Sequence, residues 1–523
     1  MRTLKSWVGG EWVAGADEGE TLVNPTTEEP IATASTAGVD KKAALEFARD
    51  VGGAALRAMS FRERGALLRK LARALHASRD ELMGLGMENA GNTRSDAKFD
   101  VDGASATLAA YADIGENELG DARMLVDGES IAIGRGAKLA AQHVLLPRPG
   151  AAVHVNAYNF PAWGIAEKAA VALLAGVPVL TKPAPATALM AFRMMEIFVE
   201  QDLLPRGTLS FLAGDPGDLL SHLRTHDVLA FTGSSTTGQK LRLLPHLVEQ
   251  GVRVNVEADS LNAAILGPDV TEGSETFGLF VNDVVRDVTQ KAGQKCTAIR
   301  RVFVPRALLG EVREALADRL RETKVGSPTS DDVVMGPLST RRQQRVVLDG
   351  IARFVSAGAK VVVGGGLPDA PIGVEKGRGF FVAPTLLSTD GALAVGDIHA
   401  HEVFGPVATL LPFDEAEELV QAVRLGGGGL VCSIYSDDRT LVRELVLRLS
   451  PLHGRIVVGN EKVAGVAVPP GTVMPTLVHG GPGRAGGGEE LGGTRGMELY
   501  LQRTAVQGYG PLVQSLFSEA RKI

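Results

Sequence analysis

Between residues 151 and 258 five short β-rich runs, AAVHVNAY, VPVLTKP, TLSFLAG, VLAFTGS and VRVNVEA, alternate with helical stretches. Strands separated by helix-length crossovers pair in parallel, so this alternation predicts an α/β fold, a parallel sheet covered by helices on both faces. The segments ending in TKPAPAT, AGDPGD and TGSSTTG place Gly, Pro, Ser or Thr where a strand hands over to a helix. Carboxyl-edge crevices of that kind are where open α/β sheets bind nucleotides. After LNAAILG the pattern restarts: helices at 271–291, 306–323, 340–357 and 414–425 alternate with RRVFVP, KVVVGG, LVCSIYS and GRIVVGN, which predicts a second α/β domain. Upstream, Leu45, Phe47, Leu67, Leu68, Leu71, Leu75, Leu82 and Leu85 recur at helical spacing across 41–90, and these helices are expected to pack on the later sheet. The run GGPGRAGGGEELGG, 480–493, reads either as a linker or as an active-site loop, because glycine makes backbone ordering costly.

A chain of 523 residues exceeds what one hydrophobic core serves, so two or three domains are expected. Its net charge of -7 is spread without a basic block, which argues against a nucleic-acid partner. The amino terminus, MRTLKSWVGGEW, lacks the apolar core of a signal peptide, and the longest apolar run, 169–181, is too short to span a bilayer. Two cysteines, Cys296 and Cys432, fit neither a disulfide framework nor a zinc cluster; no metal and a cytoplasmic location are expected.

Three residues invite a chemical reading. Cys296 lies in KAGQKCTAIRR among small and polar neighbours, an unusual setting for a core thiol, whereas Cys432 sits inside an apolar strand-like run and reads as structural. A reactive thiol needs a base and an oxyanion site within reach. Glu257 ends the run VRVNV; burial without a partner would raise its pKa toward the range of a general base, and the alternative is a solvated strand-end carboxylate. Asn159, in AYNFPAW, could supply an amide to a developing charge or simply cap the helix expected to start near Pro161.

Taken in order, Asn159-Phe160-Pro161, Lys182-Pro183-Ala184, Phe231-Thr232-Gly233-Ser234, Glu257, Gly293-Gln294 with Cys296, and Glu402-Val403-Phe404-Gly405-Pro406 resemble the motifs of the aldehyde dehydrogenase superfamily, from about residue 8 to about 506. The resemblance implies a Rossmann-like dinucleotide-binding domain (1–127 and 149–260), an α/β catalytic domain (261–480) and a small β oligomerisation flap (128–148 and 495–510). It implies that the Cys296 thiolate attacks an aldehyde and that the oxyanion is held by the Asn159 amide and the Cys296 backbone N–H. Hydride then leaves to a nicotinamide dinucleotide, and Glu257 activates the water that hydrolyses the thioester. Donors fixed at such an oxyanion lower the barrier by ~3 to 4 kcal/mol each.

For the cofactor, the resemblance points to Val155, Asn156, Ala157, Tyr158, Lys182, Ala184, Gly214, Gly217, Phe231, Thr232, Gly233, Ser234, Glu257, Ala258, Glu402 and Phe404. Lys182 is expected on the adenine ribose, Ser234 near the pyrophosphate, Glu402 on the nicotinamide ribose and Phe404 behind its ring. Lys168 is expected to support the catalytic groups. Glu167 replaces a channel aromatic of many relatives and is either a second acid that orients water or a solvated helix carboxylate.

The departures carry the finer expectations. Many relatives have a glutamate three residues after the Lys182 equivalent, where it repels a 2′-phosphate; Pro185 stands there in this chain, so NADP is expected, with NAD as the alternative. The family's Gly-Gly-Lys-Ser-Pro is replaced by Ala258-Asp259-Ser260-Leu261-Asn262. That change and the tail HGGPGRAGGGEELGG with RGMELYLQRTAVQG resemble the branch that oxidises semialdehydes carrying coenzyme A in aromatic-compound breakdown. In some of its members a hydratase-like domain follows, and 523 residues leave no room for one, so a stand-alone enzyme is expected. The expected partner is a small-molecule aldehyde linked to coenzyme A, 3,4-dehydroadipyl-CoA semialdehyde above others, and the expected assembly is a homodimer or a dimer of dimers. The alternatives are an enzyme for free aldehydes and a coenzyme-A-acylating relative, against which Glu257 argues.

Overall fold

The computed structural model describes residues 1–134 and 138–523; residues 135–137, inside the segment expected as a flap, lie outside the described residues. Each of the five β-rich runs forms a strand of one seven-stranded sheet. The order is Arg253–Glu257, Val228–Thr232, Ala152–Val155, Val179–Lys182 and Leu209–Phe211, parallel throughout, extended by the antiparallel strands Ser6–Val8 and Glu11–Val13. The chain winds outward from Ala152–Val155 to Leu209–Phe211, then crosses back to Val228–Thr232 on the other side. A crevice therefore opens at the carboxyl ends of Ala152–Val155 and Val228–Thr232, the switch point at which such sheets take ligands. Register aligns Val155 with Phe231 and Lys182, and Thr232 with Glu257, so these residues named from sequence share one edge.

The helices of 41–90 form as expected. Phe61–Ala77 starts with a capping box between Ser60 and Glu63 and buries Leu67, Leu68, Leu71 and Leu75 in a core that also holds Val179 and Phe211 of the sheet. The helix Arg94–Asp113 carries little apolar periodicity, because its buried face mixes Ala97, Val101, Ala104 and Leu108 with Asp96 and Asp100. Asp100 is buried where it meets the first N–H groups of a later helix, at the cleft.

The second seven-stranded sheet runs Lys360–Val363, Thr385–Ser388, Val407–Phe413, Arg301–Pro305, Ala263–Leu266, Gly429–Tyr435 and His453–Gly459, all parallel except the first. Two of its inner strands, Thr385–Ser388 and Val407–Phe413, are buried along their whole length and lack the polar alternation that marks a strand in sequence. Cys432 sits fully buried in Gly429–Tyr435, with its thiol pushed up to about 12 by desolvation. Segments 128–148 and 495–510 contribute to a four-stranded sheet of Leu125–Ala132, Leu139–Pro147, Leu501–Tyr509 and Arg521–Lys522, on which Ile131, Leu139, Leu146 and Tyr509 are exposed.

The glycine-rich run is not a linker. Val478–Gly480 pairs antiparallel with Glu489–Leu491, and the connection folds flat against the strand that ends in Glu257. At Gly486, φ is +105° and a Cβ would stand 2.1 Å from the Val256 carbonyl oxygen, so only glycine lets the two backbones meet. No helix among the described residues is long and apolar enough to cross a membrane.

Candidate active site

The cleft at the carboxyl edge is lined by Asn159, Phe160, Glu167, Lys168, Glu257, Cys296 and His479, together with Gly471 and Val473, and holds about 470 Å³ including its opening to solvent. Asn159 comes from the turn after Ala152–Val155 and does not cap the next helix. That helix begins at Trp163, two residues later than expected, and its first N–H groups, of Ala162 and Trp163, donate to the Asp100 carboxylate at 3.4 and 2.8 Å. The buried acid on Arg94–Asp113 thus does the capping, and the Asn159 amide is left to face the cleft.

Cys296 follows a strained turn. Lys291 and Ala292 have φ of 53° and 50° and Gly293 follows at 68°, where a Cβ would stand 2.1 Å from the Gly405 carbonyl oxygen. Left-handed non-glycine residues cost of order 1–3 kcal/mol each and persist only when their surroundings fix them. Here the fixing is visible. Arg300 donates to the Lys295 carbonyl at 3.1 Å, to the Gly405 carbonyl at 2.9 Å and to Glu402 at 3.1 Å. Asn262, 1% exposed, donates to the carbonyls of Cys296 and Ala298 at 2.8 Å each, and its own oxygen accepts from the Val431 N–H at 3.0 Å and the Ser260 hydroxyl at 2.5 Å. The segment Ala258-Asp259-Ser260-Leu261-Asn262, read from sequence only as a departure, therefore clamps the turn that presents the thiol.

Around the thiol lies a charged cluster that sequence reasoning did not assemble. The Cys296 Sγ is 3.9 Å from His479 Nε2, which is 3.6 Å from Glu257 Oε1. Lys168 Nζ is 2.8 Å from Glu167 and 3.2 Å from Glu490, and carboxylate oxygens of Glu167, Glu257 and Glu490 lie within 4.8 Å of one another. His479 and Glu490 belong to the glycine-rich hairpin. The signal available was a histidine and an acid bracketing a run whose glycines permit close approach to the strand of Glu257.

The expectation that burial would raise the pKa of Glu257 is corrected. It is buried, which pushes upward, but the imidazole of His479 and the ammonium of Lys168 outweigh that and hold it down at about 2, while Glu257 in turn raises His479. Glu490 lacks such a net excess of positive neighbours: burial carries it to about 7 against the pull of Lys168. Burial, then Glu257, push the Cys296 thiol well above its ordinary value. Glu167 does not behave as a solvated helix acid; its side chain is 12% exposed and bound to Lys168 within the cleft.

The residues named for a dinucleotide share this edge. Lys182 ends its strand buried, with its pKa lowered by desolvation against the pull of Asp215 and Glu20. Ala184 precedes the turn Pro185–Thr187, while Gly214, φ 144°, and Gly217, φ 51°, shape the loop after Leu209–Phe211. Ser234 caps the helix Ser235–Arg242 and Gly233 donates to the Glu257 carbonyl at 3.1 Å. Ala258 donates to the Ala485 carbonyl at 3.0 Å, tying hairpin to strand. Across the cleft Phe404 meets Tyr158 edge-on at 6.1 Å, and Arg300 stacks over Phe404 at 5.2 Å. Glu402 is raised to about 7 by burial despite Arg300.

The family model for aldehyde dehydrogenases matches residues 12–506. A 3,4-dehydroadipyl-CoA semialdehyde dehydrogenase of Aromatoleum evansii is 44% identical over 479 residues, 92% of this chain and 93% of that protein. Among solved structures, a 3,6-anhydro-L-galactose dehydrogenase superposes with a TM-score of 0.83 at 23% identity, covering 97% of this chain and 100% of that one. An aldehyde dehydrogenase from Bacillus cereus does so with a TM-score of 0.83 at 24% identity and 97% of each chain. The two sheets and the ordered motifs agree with a likeness that spans nearly the full length, and the chain belongs to the aldehyde dehydrogenase family.

Proposed function

We propose that this protein oxidises a coenzyme-A-linked semialdehyde, 3,4-dehydroadipyl-CoA semialdehyde or a close analogue, to the corresponding acid with NADP. The observation that carries the reading is the meeting of Cys296, Glu257 and Asn159 in one cleft. The 44% identity to the Aromatoleum evansii enzyme supports the substrate class. Only the reacting end of such a molecule enters the cleft; the coenzyme A end stays outside its mouth.

A dinucleotide fits the edge on the evidence of its orphaned polar atoms. Asn156 Oδ1, Tyr158 Oη and Thr232 Oγ1 are buried and without hydrogen-bond partners, which a polar ligand in the crevice would supply. When bound, the nicotinamide accepts the hydride. The chain does the rest: the Cys296 thiol gives its proton to solvent through the cleft and adds as thiolate to the aldehyde carbon, and the Asn159 amide and the Cys296 N–H hold the oxyanion. After oxidation Glu257 takes a proton from the water that releases the acid, and Glu167 orients water from the cleft side. Lys168, buried and paired, positions the acids and is not itself a reactant. Pro185, at the turn beside Lys182, places no carboxylate against a 2′-phosphate, which favours NADP over NAD. The two unpaired thiols suit a reducing cytoplasm, and the exposed apolar residues of the four-stranded sheet suit burial in a homodimer.

The test is reduction of NADP and of NAD with a panel of free and coenzyme-A-linked semialdehydes, with the product identified. The reading expects free acid, highest kcat/KM for the linked substrates and an advantage for NADP. A new thioester as product would make this an acylating enzyme, equal rates with free aldehydes would remove the substrate class, and an advantage for NAD would remove the argument from Pro185.

A further inference from the structure

We propose that Cys296, Glu257 and His479 form a binding site for a borderline-soft divalent cation, Zn²⁺ in preference to Mg²⁺ or Ca²⁺, and that a metal held there shuts the active site. One thiolate, one imidazole and one carboxylate are the donor types zinc selects, and a sulfur donor disfavours the hard cations. The three donor atoms all lie within 4.8 Å of one another. A tetrahedral zinc with ordinary Zn–S, Zn–N and Zn–O bonds sets S···N and N···O edges of roughly 3.6 and 3.3 Å. The observed edges are 3.9 Å from Cys296 Sγ to His479 Nε2 and 3.6 Å from His479 Nε2 to Glu257 Oε1. Closing each of these two edges by about 0.3 Å brings them to the tetrahedral values, a shift within side-chain adjustment, and the third pair already lies within 4.8 Å.

A separate observation points to a ligand at this spot. Glu257 Oε1 is buried, its residue 2% exposed, and no donor reaches it within hydrogen-bond distance; His479 Nε2 stands off at 3.6 Å, which leaves room for an ion between them. Two further carboxyl groups, of Glu167 and Glu490, stand within 4.8 Å of Glu257, paired with the Lys168 ammonium. Cys296 remains partly exposed, so a cation can enter from the cleft and keep a water as its fourth ligand. Binding releases the thiol proton, and the imidazolium proton where present, to solvent; nothing is oxidised or reduced. The inference that occupancy stops turnover rests on the proposed roles of Cys296 and Glu257, because a metal would occupy both at once.

The binding itself is read without substrate, on the full-length protein freed of cofactor. Zn²⁺ is titrated in competition with a chromophoric chelator, and Co²⁺ is used as a spectroscopic stand-in. We expect one Zn²⁺ per chain, a thiolate-to-cobalt charge-transfer band, no competition from excess Mg²⁺, and affinity at least about tenfold weaker in both His479→Gln and Cys296→Ser. Folding of the variants is checked by circular dichroism, and Cys432→Ser serves as the control that leaves binding intact. Unchanged affinity in His479→Gln and Cys296→Ser, absence of the charge-transfer band, or loss of binding in Cys432→Ser would overturn the site. If Zn²⁺ binds as described but chelator-reversible inhibition of NADP reduction is absent, the fault lies with the proposed catalytic roles and not with the metal site.

Discussion

Replacing Asn262 with alanine is the sharpest test of how the turn carrying the Cys296 thiol is held. The side chain makes four hydrogen bonds, to the carbonyls of Cys296 and Ala298, from the Val431 N–H and from the Ser260 hydroxyl, in a position 1% exposed. Alanine removes the partner of all four groups at about 1 kcal/mol each, so the substitution costs roughly 4 kcal/mol in all. That is a large share of the 5–15 kcal/mol by which domains are ordinarily stable. The Cys296 carbonyl also loses its anchor, and a nucleophile displaced by about 1 Å loses on the order of a hundredfold in rate. Urea unfolding gives the stability change, and kcat measured well below the transition gives the positional effect. Because KM reports substrate held mainly by other groups, kcat should fall much further than KM rises. A stability change under about 1 kcal/mol together with unchanged kcat would refute the clamp.

Gly486→Ala forces a Cβ onto the Val256 carbonyl and should push the hairpin off the strand of Glu257, lowering kcat by roughly a hundredfold with the overall fold retained by circular dichroism; wild-type turnover would show that the close approach is dispensable. Because burial and Glu257 raise the Cys296 thiol, its alkylation by iodoacetamide in chelator-treated, cofactor-free enzyme should climb about tenfold per pH unit from 7 to 9, read by peptide mass spectrometry with Cys432 unmodified. A plateau below pH 8 would contradict the raised thiol. Asp283, raised to about 6 by burial while Tyr435 donates to it at 2.8 Å, favours the folded state most below the ordinary carboxylate pKa and loses that contribution as pH rises through about 6. The melting temperature of Asp283→Asn relative to wild type should therefore rise between pH 4 and pH 7; a constant difference would count against it.

The parallel core was legible because each of its strands is short, β-branched and followed by turn residues, and the spacing of those turns put Lys182, Phe231–Ser234 and Glu257 at one edge. Strands Thr385–Ser388 and Val407–Phe413 were not, since burial on both faces erases the period-two pattern on which a strand is recognised. Cys296, Glu257 and Asn159 were legible as motifs. Their electrostatics were not, because the pKa of Glu257 is set by His479 and Lys168, 222 and 89 residues away in sequence by the numbering. Asn159 was ambiguous for the same reason: whether an amide caps a helix depends on Asp100, an acid on a helix with no legible apolar face. Asn262 shows a substitution that looked like a mere departure and proves to be a packing device for the thiol turn.

The central claim is that Cys296 carries the acyl group and Glu257 readies the water that removes it. Glu257→Gln mixed rapidly with NADP and a coenzyme-A-linked semialdehyde tests both halves at once, with NADPH followed by absorbance and the quenched protein weighed by mass spectrometry. The expected result is a burst of one NADPH per active site, slow turnover thereafter and an acyl adduct on the peptide containing Cys296. Steady turnover at the wild-type rate with no adduct would contradict the account.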